Sequence, residues 1–249
     1  MSAVAPTPPF TPLDPKLVLG AYSVGVFPMA DAREEPEIYW VEPNERAVLP
    51  LDGFRLSHSL RKTLRAERYR VTADRAFAHV LQMCAESVEN RPDTWINTPI
   101  EQAFNTLHDL GFAHSIEVWD GETLVGGLYG LALGKAFFGE SMVSRARDAS
   151  KVAMAWLVAR LRAGGFTLLD CQFMTSHLAS LGAVEISRAD YVALLSPAVS
   201  GAIGSSATPE GVADFFALDR FSPDSLAPAA TESGPPSGKV IAQLLTQTS

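Results

Sequence analysis

The chain has 249 residues, with 20 Lys and Arg against 28 Asp and Glu, giving a formal net charge of −8 and a sequence pI near 5.1. Hydrophobic residues make up 47%, charged residues 19%, and mean hydropathy is +0.10, which excludes a disordered or fibrous chain and fits a compact globular one. The acidic balance excludes a protein that coats nucleic acid through bulk charge, so any RNA contact needs a local basic patch.

The two cysteines, Cys84 and Cys171, form no C-x-x-C motif, which argues against a disulfide framework or zinc knuckle and for a reducing compartment. Residues 1–16 carry prolines but no basic stretch leading into an apolar run, so they lack the build of a signal peptide. The most apolar stretch, 126–139, is glycine-rich and broken by Lys135, too short a run to span a bilayer. The expected location is the cytoplasm, with no membrane partner.

In chain order, a Pro-rich arm precedes a helix over 15–22 (PKLVLGAY), for which Asp14 is the candidate N-cap. GVFP (25–28) and YWVEP (39–43) set aromatics beside turn-forming prolines, and RAVLP (46–50) reads as a short strand. Phe27 and Trp40 could cap a pocket or plug a small core; the pattern permits both. Residues 57–68 (SHSLRKTLRAER) show serine caps and helical spacing of Leu60 and Leu64, and crowd Arg61, Lys62, Arg65 and Arg68 together. That patch could hold phosphates or simply be solvated.

Helical periodicity marks 77–87 and 100–111, the second stopped by Gly111. Strands over 115–119, 123–133 and 136–143, joined by the turns Asp120-Gly121 and Gly134-Lys135, predict an antiparallel meander. A helix over 148–163 follows, ended by Gly164-Gly165, then an apolar strand over 166–170. The elements predict an α+β fold divided into a small N-terminal α+β domain (1–58), a larger domain (59–221) and a flexible tail (222–249). Residues 222–239 are almost all small or polar with proline, while 240–245 (VIAQLL) could dock or stay loose.

H-E-x-x-H, G-x-S-x-G and G-x-G-x-x-G are absent, and the five histidines lack ligand spacing, so neither a metal nor a serine nucleophile is expected. The P-loop lookalike at 130–135 has the wrong spacing and Ala136 where a hydroxyl is needed. The positive signals are carboxylates at strand ends. Glu140 follows two aromatics and a glycine in FFGESM (137–142), and Asp170 and Gln172 alternate onto one face of LLDCQ (168–172). Two such acidic strand ends suggest a negative site, while for either carboxylate alone a salt bridge or helix cap is the commoner explanation.

The ordered motifs GVFP (25–28), WVEPxxRAVL (40–49), TWI (94–96), LHDLGFAHSIEVW (107–119), LVGGLYG (124–130), FFGESM (137–142), SK (150–151), DCQ (170–172) and HLASLGA (177–183) resemble the bacterial leucyl/phenylalanyl-tRNA–protein transferases. The resemblance spans about residues 17–195. It implies an ATP-independent aminoacyltransferase that moves Leu or Phe, with Met as a further donor residue, from aminoacyl-tRNA to the α-amine of proteins with N-terminal Arg or Lys. The product is a destabilising N-terminus read by the N-end-rule pathway. It also implies a GNAT-like (acyl-CoA N-acyltransferase-like) C-terminal domain and no cofactor.

By the same resemblance, Asp170 and Gln172 accept and relay the proton of the attacking amine, and Glu140 holds the acceptor's basic side chain. Phe137, Met142, Met154, Leu157 and Leu169 line the aminoacyl pocket, each of them equally compatible with ordinary core. Trp95 stacks at the tRNA 3′ end, and Arg61, Lys62, Arg65 and Arg68 receive acceptor-stem phosphates. Met29 departs from relatives that carry Trp after F-P. Independently of the family, the turn into the helix at 148 reads SRARDAS (144–150), without the glycines of a coenzyme A loop, which favours an RNA-borne donor. A GNAT-like enzyme with another donor and a non-catalytic tRNA-binding protein are the competing readings.

Overall fold

A computed structural model describes residues 12–86, 94–200, 213–220 and 236–246, and begins with α1 (Pro15–Ser23). The Asp14 side chain accepts from the Lys16 N–H at 2.8 Å, and Pro15 sits in the first turn, as its missing N–H allows. A two-stranded antiparallel ribbon, β1 (Phe27–Met29) with β2 (Tyr39–Val41), leads to β3 (Glu45–Val48). Helix α2 (His58–Arg65) is capped by Ser57 and buries Leu60 and Leu64. It ends before the expected Arg68, and Glu67 adopts a left-handed φ of 50° just beyond.

Next come β4 (Arg70–Ala73), α3 (Phe77–Ala85) and α4 (Thr98–Asp109). Asn97 caps α4, and Gly111, at φ 80°, ends it with its N–H on the His108 carbonyl and the Phe112 N–H on the Leu107 carbonyl. The expected meander is present as β5 (Ala113–Asp120), β6 (Thr123–Leu133) and β7 (Ala136–Ser144). Then follow α5 (Ala149–Ala163), β8 (Leu168–Gln172), α6 (Ser176–Leu181), β9 (Val184–Ser187), α7 (Arg188–Val199) and α8 (Gly238–Leu244).

Seven strands form one sheet in the order β4-β5-β6-β7-β8-β3-β9. All neighbours are antiparallel except β7 and β8, whose parallel pairing requires the crossover that α5 supplies. That pairing lasts only from Ala136↔Leu168 to Phe138↔Asp170. Beyond it, β7 runs on beside β6 alone while β8 turns to β3, and the sheet parts. A bulge between Tyr129 and Gly130 bends the neighbouring ladder at the same level. Gly130 is required there, because a Cβ would lie 2.3 Å from the Phe138 carbonyl oxygen.

One face of the sheet packs against α5, α2 and α8, and the other against α1, α3, α4 and α7. Helix α5 is buried almost all round, including Arg160, whose guanidinium meets Asp219 at 2.6 Å and the Phe215 carbonyl at 3.0 Å. Strand β3 belongs to the stretch 1–58 set apart in the sequence, yet it lies between β8 and β9 in the large sheet. The expected Pro-rich arm falls on residues 1–11 and most of the expected linker on 221–235, both outside the described residues.

The far end of the stretch 222–249 departs from the flexible tail expected of it. Helix α8, capped by Ser237, buries Ile241, Ala242 and Leu245 against the cluster that holds Leu60 and Leu64. Its apolar face finds a partner in the stripe that α2 presents, which the isolated composition could not reveal. Among the described residues no helix is long and apolar enough to cross a membrane. If α8 is docked in this way, Ile241→Ala costs about 2–4 kcal/mol. Denaturant unfolding checks this; an unchanged midpoint would show that the helix contributes nothing.

Candidate active site

Where β7 and β8 part, the gap opens into a pocket of about 500 Å³ lined from both core faces. Its apolar wall comes from Leu128, Met142, Met154, Leu157 and Leu169. Phe27, Met29, Trp95 and Phe173 also line it. Phe27 and Phe173 meet edge to face at 5.7 Å, and Phe173 is 48% exposed. Glu140 is the single acidic residue among the lining residues, and neither Lys nor Arg is among them.

Behind the pocket wall lies a buried ion pair. Asp170 and Arg46 are 0% and 1% exposed. Asp170 Oδ2 receives Arg46 Nη2 at 2.6 Å and the Tyr191 hydroxyl at 2.9 Å, while Oδ1 receives Arg46 Nε at 3.0 Å and the Gln172 backbone N–H at 2.8 Å. The guanidinium also donates to the Gly25 carbonyl at 2.9 Å and lies over the rings of Phe27 and Tyr191, at 4.7 and 4.5 Å. Burial by itself would lower the Arg46 pKa, but the hydrogen bonds and charge of Asp170 raise it on balance. Burial and the Asp170 charge likewise raise Tyr191, keeping its hydroxyl a donor. Gly25, at φ 85°, cannot carry a side chain here, since a Cβ would stand 2.9 Å from Tyr191 Cε1.

Gln172 ends β8 in a left-handed conformation, φ 56°, uncommon for a residue with a side chain. Its backbone is tied to Asp170 and its side-chain Nε2 donates to Glu140 Oε1 at 3.1 Å, so it bridges the two parted strands. Glu140 lies deep in the wall but keeps an accessible edge on the pocket. Burial pushes its carboxyl up to about 8, the Asp170 charge adds to the rise, and Tyr22, Arg46 and Gln172 oppose it. The Tyr22 hydroxyl, which makes no hydrogen bond of ordinary geometry, is itself raised by burial and by Glu140.

The structure brings Glu140, Gln172, Met142, Met154, Leu157, Leu169 and Trp95 to one pocket, with Met29 and the Trp95 backbone adjacent through the Ala30 N–H. Two expected members are placed differently. Phe137 is 0% exposed and packs against Phe166 and Phe215, because the strand points it into the α5 core rather than the gap. Asp170 adjoins Gln172 but is not among the lining residues, and its oxygens are filled by the donors above.

The basic residues lie apart from the pocket: Lys62 and Arg65 are exposed on α2, Arg68 is exposed just past its end, and Arg61 is partly buried. Arg68 meets Asp120 at 3.4 Å. The Tyr69 hydroxyl, just past α2, donates to the Arg147 carbonyl in the loop whose ends, Ser144 and Ser150, line the pocket. That loop consumes some of its own amides. The Ala149 N–H bonds the Ala146 carbonyl and the Ser150 N–H bonds Ser144 Oγ. Those two amides are therefore not open to a pyrophosphate. Burial raises the Cys171 thiol, a pocket residue, well out of thiolate range and unsuits it as a nucleophile.

Sequence reasoning missed Arg46, Tyr191, Tyr22 and His177 as parts of the site. Arg46 had a usable signal: an arginine opening an apolar strand needs an acidic partner, and Asp170 and Glu140 are the candidate acids in apolar strands.

A split α+β sheet holding an apolar pocket, with a carboxylate and an amide at its wall, has the build of an enzyme site that takes an apolar group beside polar ones. Residues 48–196 match the family model "Leucyl/phenylalanyl-tRNA protein transferase", and residues 11–44 match the model of its N-terminal domain. A leucyl/phenylalanyl-tRNA–protein transferase of Rhizorhabdus wittichii is 60% identical over 247 residues, covering 95% of this chain and 99% of the relative. Those of Zymomonas mobilis and Phenylobacterium zucineum are 58% and 50% identical, covering 85% and 95% of this chain and 77% and 98% of the relatives. The chain belongs to the leucyl/phenylalanyl-tRNA–protein transferase family and is a transferase. Among solved structures, L-PGS from Bacillus licheniformis aligns at 12% identity with a TM-score of 0.42, over 63% of this chain and 65% of that one, too low to carry an argument.

The raised Glu140 pKa has a consequence for stability. An acid whose folded pKa exceeds its unfolded value binds more protons when folded, so stability falls as pH rises from about 4.5 through about 8. Glu140→Gln removes this ionisation, and its stability should exceed that of the parent at pH 9 by an amount on the order of a few kcal/mol, with little difference at pH 5. Denaturant titrations at both pH values test this; an equal difference at pH 5 and 9 would contradict the assigned ionisation.

Proposed function

We propose that the protein transfers Leu or Phe from aminoacyl-tRNA to the α-amine of proteins beginning with Arg or Lys, without ATP, marking them for N-end-rule degradation in the cytoplasm. The observation that carries this reading is the pocket, where an apolar wall meets a single carboxylate and no Lys or Arg lines the wall. Met142, Met154, Leu157 and Leu169 suit a Leu or Phe side chain, and the Glu140 carboxyl beside them suits an incoming amine. The donor is an activated ester, so the reaction needs positioning and management of one proton rather than an energy source.

Trp95, on the pocket lining, offers its ring to the terminal base of the tRNA, a contact tolerant of sequence. Met29 stands near it without an aromatic face, so the stacking falls to Trp95 and the neighbouring Phe27 and Phe173. Arg61, Lys62, Arg65 and Arg68 form the phosphate landing strip, linked to the pocket loop through Tyr69. The short parallel pair that parts around the site, with α5 as its crossover, supports a GNAT-like reading of residues 59–221. The two self-satisfied amides of the 144–150 loop favour tRNA over coenzyme A as the donor carrier.

Incubation with tRNA charged with labelled leucine, without ATP or coenzyme A, should label a peptide beginning with Arg and leave one beginning with Ala unlabelled. Equal labelling would remove the acceptor assignment, and none at all would remove the activity. Replacing Arg65 and Arg68 by Ala should weaken tRNA binding and reduce the slope of log affinity against log salt by up to about 2. An unchanged slope would return α2 to a purely structural role.

A further inference from the structure

Resting on the transfer reaction just described, we infer that Glu140, and not Asp170, takes the proton of the attacking α-amine, while Asp170 and Arg46 are positioning residues that fix Gln172 against it. Three geometric observations lead there. Asp170 is sealed from the pocket, and its two oxygens hold Arg46, Tyr191 and the Gln172 backbone. A proton placed on it would displace one of these donors and strip the buried guanidinium of its counter-charge. Glu140 by contrast reaches the pocket, and only its Oε1 carries a hydrogen bond of ordinary geometry, from Gln172 Nε2.

Gln172 has already spent its Nε2 on Glu140, which leaves its amide oxygen as an acceptor for the incoming N–H. An amide is no base, so it orients the amine and aims it at the carboxylate next door. As the amine nitrogen bonds to the ester carbonyl carbon, its proton passes to Glu140. As the bond from that carbon to the ribose oxygen breaks, Glu140 returns the proton to the departing oxygen. One C–N bond forms, one C–O bond breaks, and no proton is gained or lost overall.

The groups facing Glu140 are Tyr22 from α1, Arg46 from β3, Asp170 and Gln172 from β8, and Tyr191 from α7. Burial raises its ionisation, Tyr22, Arg46 and Gln172 oppose the rise and Asp170 adds to it, leaving it at about 8, near that of a free α-amine, so it can both accept and return a proton around neutrality. His177, the other basic side chain on the pocket, is made less basic by burial and by Lys151.

The test measures kcat and KM for an Arg-initiated peptide, at saturating leucyl-tRNA, from pH 6 to 9. Glu140→Gln should lower kcat about a hundredfold or more while the peptide KM stays within about threefold. A raised KM with kcat preserved would make Glu140 an anchor for the acceptor's cation and overturn the inference, as would no change in either. Glu140→Asp, which keeps a carboxylate, should retain more kcat than Glu140→Gln and guards against a folding artefact; equal losses would overturn the assignment. Asp170→Asn removes a charge that raises Glu140 and unpairs Arg46, so its residual kcat should rise with pH along a curve displaced to lower pH. Loss of one ionisation from that curve would instead identify Asp170 as the base. Failure of the parent to transfer at all would refute the function and is distinct from each of these results.

Discussion

Arg46 carries its charge into the interior between the rings of Phe27 and Tyr191, and Asp170 meets it there. Removing either partner would leave a buried charge without compensation, so the pair binds the elements that supply it. Those elements are distant in sequence: β3, the strand end of β8, helix α7 and the turn at Gly25. The pair explains why β3 lies between β8 and β9, and why the stretch before residue 58 is committed to the large sheet. It also sets the place of Gln172, whose backbone N–H is captured by the same carboxylate.

The second constraint is the brevity of the parallel contact between β7 and β8. Three residue pairs hold the strands together, and the gap beyond them becomes a pocket whose walls draw on both cores. Backbone groups freed by the parting need other partners, and side chains at the strand ends take up that work. Gln172 spans the gap to Glu140 from a strained left-handed conformation. Glu140 sits where burial opposes its charge, at a cost to stability that an apolar or neutral residue would not impose. Chemistry and stability pull in opposite directions at this point, as is common where a reacting group must be poised near neutral pH.

Much of the fold was legible in the sequence because its signals are local. The cap at Asp14, the stop at Gly111, the turn at Asp120-Gly121 and the meander over 113–144 arise from residues that touch near neighbours. Glu140, Gln172, Trp95 and four of the five expected apolar pocket residues were legible as well, through an ordered resemblance and through polar side chains in apolar strands. Phe137 was not, since inward and outward positions of a strand buried on both faces are equally apolar. Nor was the docking of α8, whose partner stripe on α2 lies far away in the chain.

What the sequence determined by itself, then, is the set of elements, their order, the family, and which side chains are chemically out of place in their strands. Tertiary structure alone decided which of those side chains face the pocket. Asp170 and Glu140 are the same kind of residue at the same kind of position, an acid within a largely apolar strand. Arg46 and Tyr191 from other parts of the chain, with the Gln172 N–H, enclose the first, and the parting of two strands opens the second to the pocket. Burial and pairing are properties of neighbours in space, and a carboxylate's role follows from them.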